Sequence, residues 1–159
     1  MLRKMKTKHI YVLLIAMGIV GCTSRDVYFK YTTINPTGWS QDSLYGFDVE
    51  ITDTTSKYNV YINVRNNGNY PYQNLWLFLK QTQPTKLELK DSIEFYLADI
   101  RGKWLGSGMG AIHDMPVLYQ QNVQFNKAGT YHYSIGQGMR DSLLVGINDI
   151  GMRIEKVNP

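Results

Sequence analysis

The chain has 159 residues, enough for one domain with a real core, and its 43% hydrophobic and 13% aromatic content argues against a disordered polypeptide. The formal charge of +4 resides in Arg3, Lys4, Lys6 and Lys8; from residue 22 onward 13 Lys and Arg face 13 Asp and Glu, which argues against a nucleic-acid-binding domain and its positive surface. A single cysteine, Cys22, excludes an internal disulfide framework and any multi-cysteine metal site.

The N-terminus reads as an address and an anchor. Residues 10–20 form an apolar run of 11 after the basic start. A bilayer-spanning helix needs ~20, so the run is the hydrophobic part of a signal peptide. Ile19-Val20-Gly21-Cys22 then matches the bacterial lipobox, in which cleavage falls before the cysteine and its thiol takes a diacylglycerol. Several acyl chains on one residue hold a protein stably at a membrane. Residues 1–21 are thus expected to be a lipoprotein signal peptide and 22–42 the lipidated Cys22 with a tether. Residues 43–159 are expected to form the single folded domain. Thr23 stands where an inner-membrane retention signal would have Asp, and Ser24-Arg25-Asp26 lacks an acidic run. Both point to the outer membrane, with the domain facing the periplasm.

From Ser43 the hydrophobic period is two. Phe47, Val49 and Ile51 alternate with Asp48 and Glu50 as in a half-buried strand. Asp53-Thr54-Thr55-Ser56 is a polar turn, after which Tyr58, Val60, Ile62 and Val64 alternate with Asn59, Tyr61, Asn63 and Arg65. Asn66-Asn67-Gly68-Asn69 ends this strand with residues that tolerate positive φ. Residues 75–79 are a continuous apolar run, expected to be a strand covered on both faces. Leu87 and Leu89, then Ile93, Phe95 and Leu97, alternate with polar neighbours. Residues 101–110 are a glycine-rich loop holding Trp104, and residues 117–125 and 130–135 are further strands. Residues 137–143 read as a helical turn or a loop, and residues 148–157 close the chain. Helical periodicity is nowhere sustained. The pattern predicts an all-β sandwich of about seven to eight antiparallel strands, jelly-roll-like first and immunoglobulin-like second. Gly129-Thr130-Tyr131 resembles a tyrosine corner, which favours the second.

Chemistry is sparsely provided. His113 and His132 lack local partners of metal-ligand spacing, so no metal is expected. Glu88 and Glu94 fall on one face of a regular strand, where solvated charges are the plainer reading than a glycosidase pair. Ser107 sits between glycines with no neighbouring base, and no G-x-S-x-G elbow exists. In Gly102-Lys103-Trp104-Leu105-Gly106 the lysine follows the first glycine, which is the wrong order for a phosphate loop. No cofactor and no enzymatic activity are expected. Trp104 reads either as a plug under its loop or as an exposed anchor. With Lys103 beside it and Tyr70 and Tyr72 flanking Pro71, it forms the candidate surface for a partner or ligand.

Several stretches together resemble one family. They are the lipobox cysteine, Tyr58-Asn59-Val60-Tyr61-Ile62-Asn63-Val64-Arg65-Asn66, Gly102-Lys103-Trp104-Leu105-Gly106, and the terminal Gly151-Met152-Arg153-Ile154-Glu155-Lys156. The series resembles the gliding-motility lipoprotein GldH family of Bacteroidetes. The resemblance implies an outer-membrane lipoprotein of the gliding apparatus, a system coupled with secretion of surface adhesins, and it implies no catalytic residues. Two roles follow: an interaction component that binds an envelope protein, or a β-sandwich module that binds a glycan or cell wall.

Overall fold

The computed structural model describes residues 25–108 and 110–157. The signal segment and Cys22 lie outside the described residues. Ten strands follow in chain order: β1 (Asp26–Thr33), β2 (Trp39–Ser40), β3 (Leu44–Ile51), β4 (Tyr58–Asn67), β5 (Asn74–Thr82), β6 (Glu88–Tyr96), β7 (Ile112–Val123), β8 (Gly129–Gln137), β9 (Leu143–Leu144) and β10 (Ile147–Lys156). Their pairing is nested. β5 pairs with β6, β4 with β7, β3 with β8, β2 with β9 and β1 with β10, all antiparallel. The chain is thus one long hairpin, with its tip at residues 83–87, rolled until β10 also meets β4 and β8 also meets β5. Rolling yields two four-stranded sheets, β1-β10-β4-β7 and β3-β8-β5-β6, which is the jelly-roll arrangement.

Alternation explains why the sheets stack. Phe47, Val49 and Ile51 of β3, Leu75, Leu77 and Leu79 of β5, and Tyr131, Tyr133 and Ile135 of β8 point inward and are buried. They face Val60, Ile62 and Val64 of β4 and Ile150, Met152 and Ile154 of β10. Each buried aliphatic side chain contributes roughly 1.5–3 kcal/mol. Trp39 closes one end of this core, its indole N–H donating to the Ser43 carbonyl at 3.1 Å.

Two expectations meet a different structure. The segment read as a tether is sheet from Asp26 onward: β1 pairs with β10 along its length, and Ile34 and Trp39 belong to the core. A register shift between Asp26 and Tyr28 breaks the alternation that would have marked it as a strand. The run 75–79 is covered on one face only, with Trp76 and Phe78 turned to the outside. Of the two readings of 137–143 the loop holds, since Gln137 ends β8, residues 138–142 form a loop and Leu143 begins β9. The tyrosine corner is real, with the Tyr131 hydroxyl donating to the Lys127 carbonyl at 3.0 Å, yet it sits in a jelly roll.

The two ends of the sandwich differ in what they carry. At the entry end lie Arg25, the loops 52–57, 83–87 and 124–128, and Lys156. At the far end lie the loops 34–38, 68–73 and 138–142 and the described residues 97–108 and 110–111. The ten residues of β4 separate the ends by about 33 Å.

Candidate functional site

The glycine-rich loop is a flap held on β7. Asp99 accepts the backbone N–H groups of Arg101 and Lys103 at 2.8 and 2.9 Å, closing a tight turn. Ser107 and Asp114 exchange two backbone hydrogen bonds at 3.0 and 2.7 Å. A Cβ on Gly106 would stand 2.9 Å from the Asp114 carbonyl oxygen, and one on Gly108 would stand 2.0 Å from that of Ile112. These glycines therefore permit close approach of two backbones and cradle no phosphate. Trp104 turns inward from the flap, half-buried, with its ring centroid 6.4 Å from Tyr70 and 5.8 Å from His113. It is the plug under the loop.

Of the four residues expected to form a surface, Tyr70 is 4% exposed and donates its hydroxyl to the Asn74 carbonyl at 2.6 Å. Burial pushes its pKa up. Tyr70 is a packing residue. Lys103 is exposed on the flap. Tyr72 is 38% exposed and packs edge-on against Tyr70 at 5.9 Å. A hydrogen bond with the Asp141 carboxylate raises the Tyr72 pKa. The fold brings Tyr70, Tyr72 and Trp104 to the far end, and Tyr72 opens onto solvent there.

The more open aromatic surface is one that the sequence pattern concealed. On the outer face of β3-β8-β5-β6, Trp76 is 37%, Phe78 53% and Leu44 66% exposed. Register aligns Leu44, Gly136, Phe78 and Ser92 in one row across the four strands. Gly136, which is buried, makes room for the Leu44 side chain to lie over it; a Cβ there would stand 2.8 Å from Leu44 Cδ2. Gly138 does the same beside Trp76 and Phe78, at 3.2 and 3.3 Å. A groove of about 400 Å³ follows, lined by Tyr72, Asn74, Trp76, Gly138, Met139 and Arg140. A second, of about 240 Å³, continues along Phe78 to Leu44, Lys80 and Lys90. Buried Gln137 shapes the first groove by accepting the Met139 N–H and donating to the Asp141 carbonyl, both at 2.7 Å. Apolar stripes of this kind on a soluble face mark interaction sites.

Several other titratable groups are used structurally. Asp114 receives the Tyr31 hydroxyl at 2.8 Å and Arg65 Nε at 3.2 Å. Burial and that carboxylate push Tyr31 up to about 12. His132 contacts the Asp48 carboxylate across β3 and β8. Glu88 is held by Lys80 at 2.6 Å and Glu94 by Asn74 at 2.6 Å. They share the outer face, but six residues of strand put them about 20 Å apart, beyond the ~5–9.5 Å of a glycosidase pair.

Comparison with known proteins completes the site's context. The profile of the GldH lipoprotein family matches residues 26–154. The gliding motility lipoprotein GldH homolog of Christiangramia forsetii is 37% identical over 142 residues, covering 85% of this chain and 86% of that one. The gliding motility lipoprotein GldH of Flavobacterium johnsoniae is 33% identical over 152 residues, covering 91% of this chain and 94% of its own. The matched span runs from β1 into β10, so it takes in both sheets and the aromatic stripe, and the chain belongs to the GldH lipoprotein family.

Proposed function

We propose that this lipoprotein is a non-enzymatic assembly component of the Bacteroidetes gliding-motility and associated envelope machinery. It is anchored through lipidated Cys22 to the outer membrane, faces the periplasm, and binds another envelope protein. The names of its relatives support the setting. The observation that carries the binding role is the outward-facing Trp76 and Phe78 on a strand whose alternate residues fill the core. A solvated sheet face has polar residues at such positions. The occupant is an apolar segment of a protein, because the Leu44–Phe78 half of the stripe offers few polar groups to a sugar ring. Large aromatic side chains in desolvated pockets dominate protein contacts.

The test is an in-cell crosslinking pull-down of the full lipidated protein with Trp76→Ala and Trp104→Ala as parallel baits. The proposal expects one dominant envelope protein, lost with Trp76→Ala while the thermal midpoint of that variant stays near that of the parent. Retention of every association by Trp76→Ala overturns it.

A glycan is the second reading, and the upper groove favours it. There Tyr72 and Trp76 lie beside Asn74 and Arg140, rings next to hydrogen-bonding groups. Isothermal titration with peptidoglycan fragments tests this directly: heat that disappears in Trp76→Ala supports a cell-wall ligand, and absence of heat removes it.

A further inference from the structure

We infer that β6 is the contact edge of a two-fold dimer. A second copy of this chain adds its own β6, antiparallel and centred on Ser92, so that the two sheets β3-β8-β5-β6 become one sheet of eight strands. The inference concerns a sheet edge and not the aromatic stripe, and it does not depend on the envelope partner.

The edge is open and regular. β6 ends its sheet, and its nine residues pair with β5 without a break in register. The other edges are blunted. β1 shifts register between Asp26 and Tyr28, and β7 shifts twice, carries Pro116, which has no N–H, and holds Asn122 at a φ of 55°. β3 lies against β1, and its outward charges, Asp48 and Glu50, are both acidic. In β6 the Ser92 N–H is taken by the carboxylate of its neighbour Asp91 at 2.8 Å, which marks it as turned to the open edge and not to Phe78 across in β5. Every second residue of an antiparallel strand shares that direction, so the backbone groups of Glu88, Lys90, Ser92, Glu94 and Tyr96 face outward together. A second strand would use them all.

The residues of β6 complement themselves. With Ser92 opposite Ser92 of the second copy, all nine residues are matched. Lys90 meets Glu94 of the second copy, and the two-fold repeats that pair. Leu89 meets Phe95, Asp91 meets Ile93 and Glu88 meets Tyr96. Opposite charges directly across an antiparallel pair attract, and like charges repel. Other registers lose this match. Centring on Asp91 sets that carboxylate against itself and Glu88 against Glu94, and centring on Ile93 leaves no opposite charges facing. Lys90 and Glu94 are exposed, and Lys90 forms no ion pair among the described residues. Lys80, which stands across from Lys90 in β5, is already held by Glu88. On the inward side Leu89 is 46% exposed, and Phe95 of the second copy would cover it. The closest like-charge approach is between the two Asp91 side chains, a diagonal of ~7–8 Å. Each has the Tyr119 hydroxyl donating to it at 3.2 Å.

The symmetry fits a tethered protein. The two-fold axis stands perpendicular to the joined sheet, so both aromatic stripes open on one side of the dimer. Both chain entries lead into β1 of the opposite sheet and lie on the other side. Two lipid anchors can therefore sit in one membrane plane. A single strand pair is a small contact, below the ~1,200 Å² of a stable soluble interface. Chains confined to one membrane meet at a high effective concentration, which offsets that weakness. An isologous contact also closes on itself, so pairing through β6 stops at two copies.

The experiment uses the full acylated protein in phosphatidylcholine vesicles under a mild thiol oxidant. Ser92→Cys is the reporter, Lys103→Cys on the flap is the control, and the parent, whose one cysteine is Cys22, sets the background. Directly opposed residues put their Cα atoms about 5.5 Å apart, within reach of a disulfide. The Ser92→Cys protein should form a disulfide dimer at least fivefold faster than Lys103→Cys. A mixture of Lys90→Cys and Glu94→Cys proteins should crosslink at least fivefold faster than either alone, which reads the register. Adding Lys90→Glu to Ser92→Cys should slow its dimer at least fivefold, and Lys90→Glu/Glu94→Lys in the same background should restore the rate. Equal rates at positions 92 and 103 overturn the dimer. An unchanged rate with Lys90→Glu, or no recovery in the charge swap, overturns the register. The vesicles hold no other protein, so failure here is distinct from failure to find an envelope partner.

Discussion

At the scale of single residues, position in the pleat decides what an aromatic ring does. Trp104 and Trp76 lie near the same end of the molecule, but one plugs a flap and the other opens onto a groove. Trp104→Ala should lower stability by about 2 kcal/mol in chemical denaturation, less than full burial would cost. Trp76→Ala should change it by under ~1 kcal/mol. Gly146 is a harder constraint: its φ is +85°, and a Cβ there would stand 2.2 Å from the Tyr70 backbone nitrogen. Gly146→Ala should destabilise the fold by ~3 kcal/mol or more, measured by thermal melting. Asp53 offers a pH prediction. Lys156 first, then Ser56 and Thr55, hold its carboxylate well below the ordinary value of 3.8. Its folded pKa is thus depressed, so its contribution is present above the unfolded pKa and is lost as pH falls below about 4. The Asp53→Asn protein should therefore lose less of its thermal midpoint than the parent between pH 6 and pH 3. Equal losses would show that this turn does not couple to folding.

At the scale of elements, alternation is legible in sequence only when the two faces of a strand differ. β3 and β4 were readable because polar residues separate Phe47, Val49 and Ile51, and likewise Val60, Ile62 and Val64. β5 was readable as a strand but not in its exposure, since Trp76 and Phe78 are as apolar as the core residues between them. That uniformity hides the outward-facing pair Trp76 and Phe78. β1 is hard to read for another reason: it is an edge strand whose register shifts, so no clean period marks it. The short pair β2–β9 rests on two residues each, below what any period can signal. The tyrosine corner is legible in Gly129-Thr130-Tyr131, and it stabilises a local turn without choosing a topology. Tyr131→Phe should cost about 1 kcal/mol and leave the far-ultraviolet spectrum unchanged. A much larger loss would mean that the corner holds more than its own loop.

At the scale of the whole molecule, the nested pairing of β1 to β10 separates two ends and two outer faces. No local pattern encodes that nesting, because it depends on which strands meet after the long hairpin rolls up. It places the chain entry at one end, and the Trp104 flap and the Tyr72 groove at the other. Family membership fixes the lipoprotein setting, and the proposed partner would meet one outer face. The outer face of β3-β8-β5-β6 carries Leu44, Trp76 and Phe78 without covering, whereas the opposite sheet engages Tyr31, Arg65 and Asp114 with one another.

The central claim is that this stripe binds an envelope protein. Replacing Phe78 by a photoreactive phenylalanine in the full lipidated protein tests it most directly, with the same replacement at Lys103 as control. The account predicts one dominant crosslinked envelope protein from position 78 and no such adduct from position 103. No adduct from position 78, or the same adduct in equal yield from position 103, would contradict it.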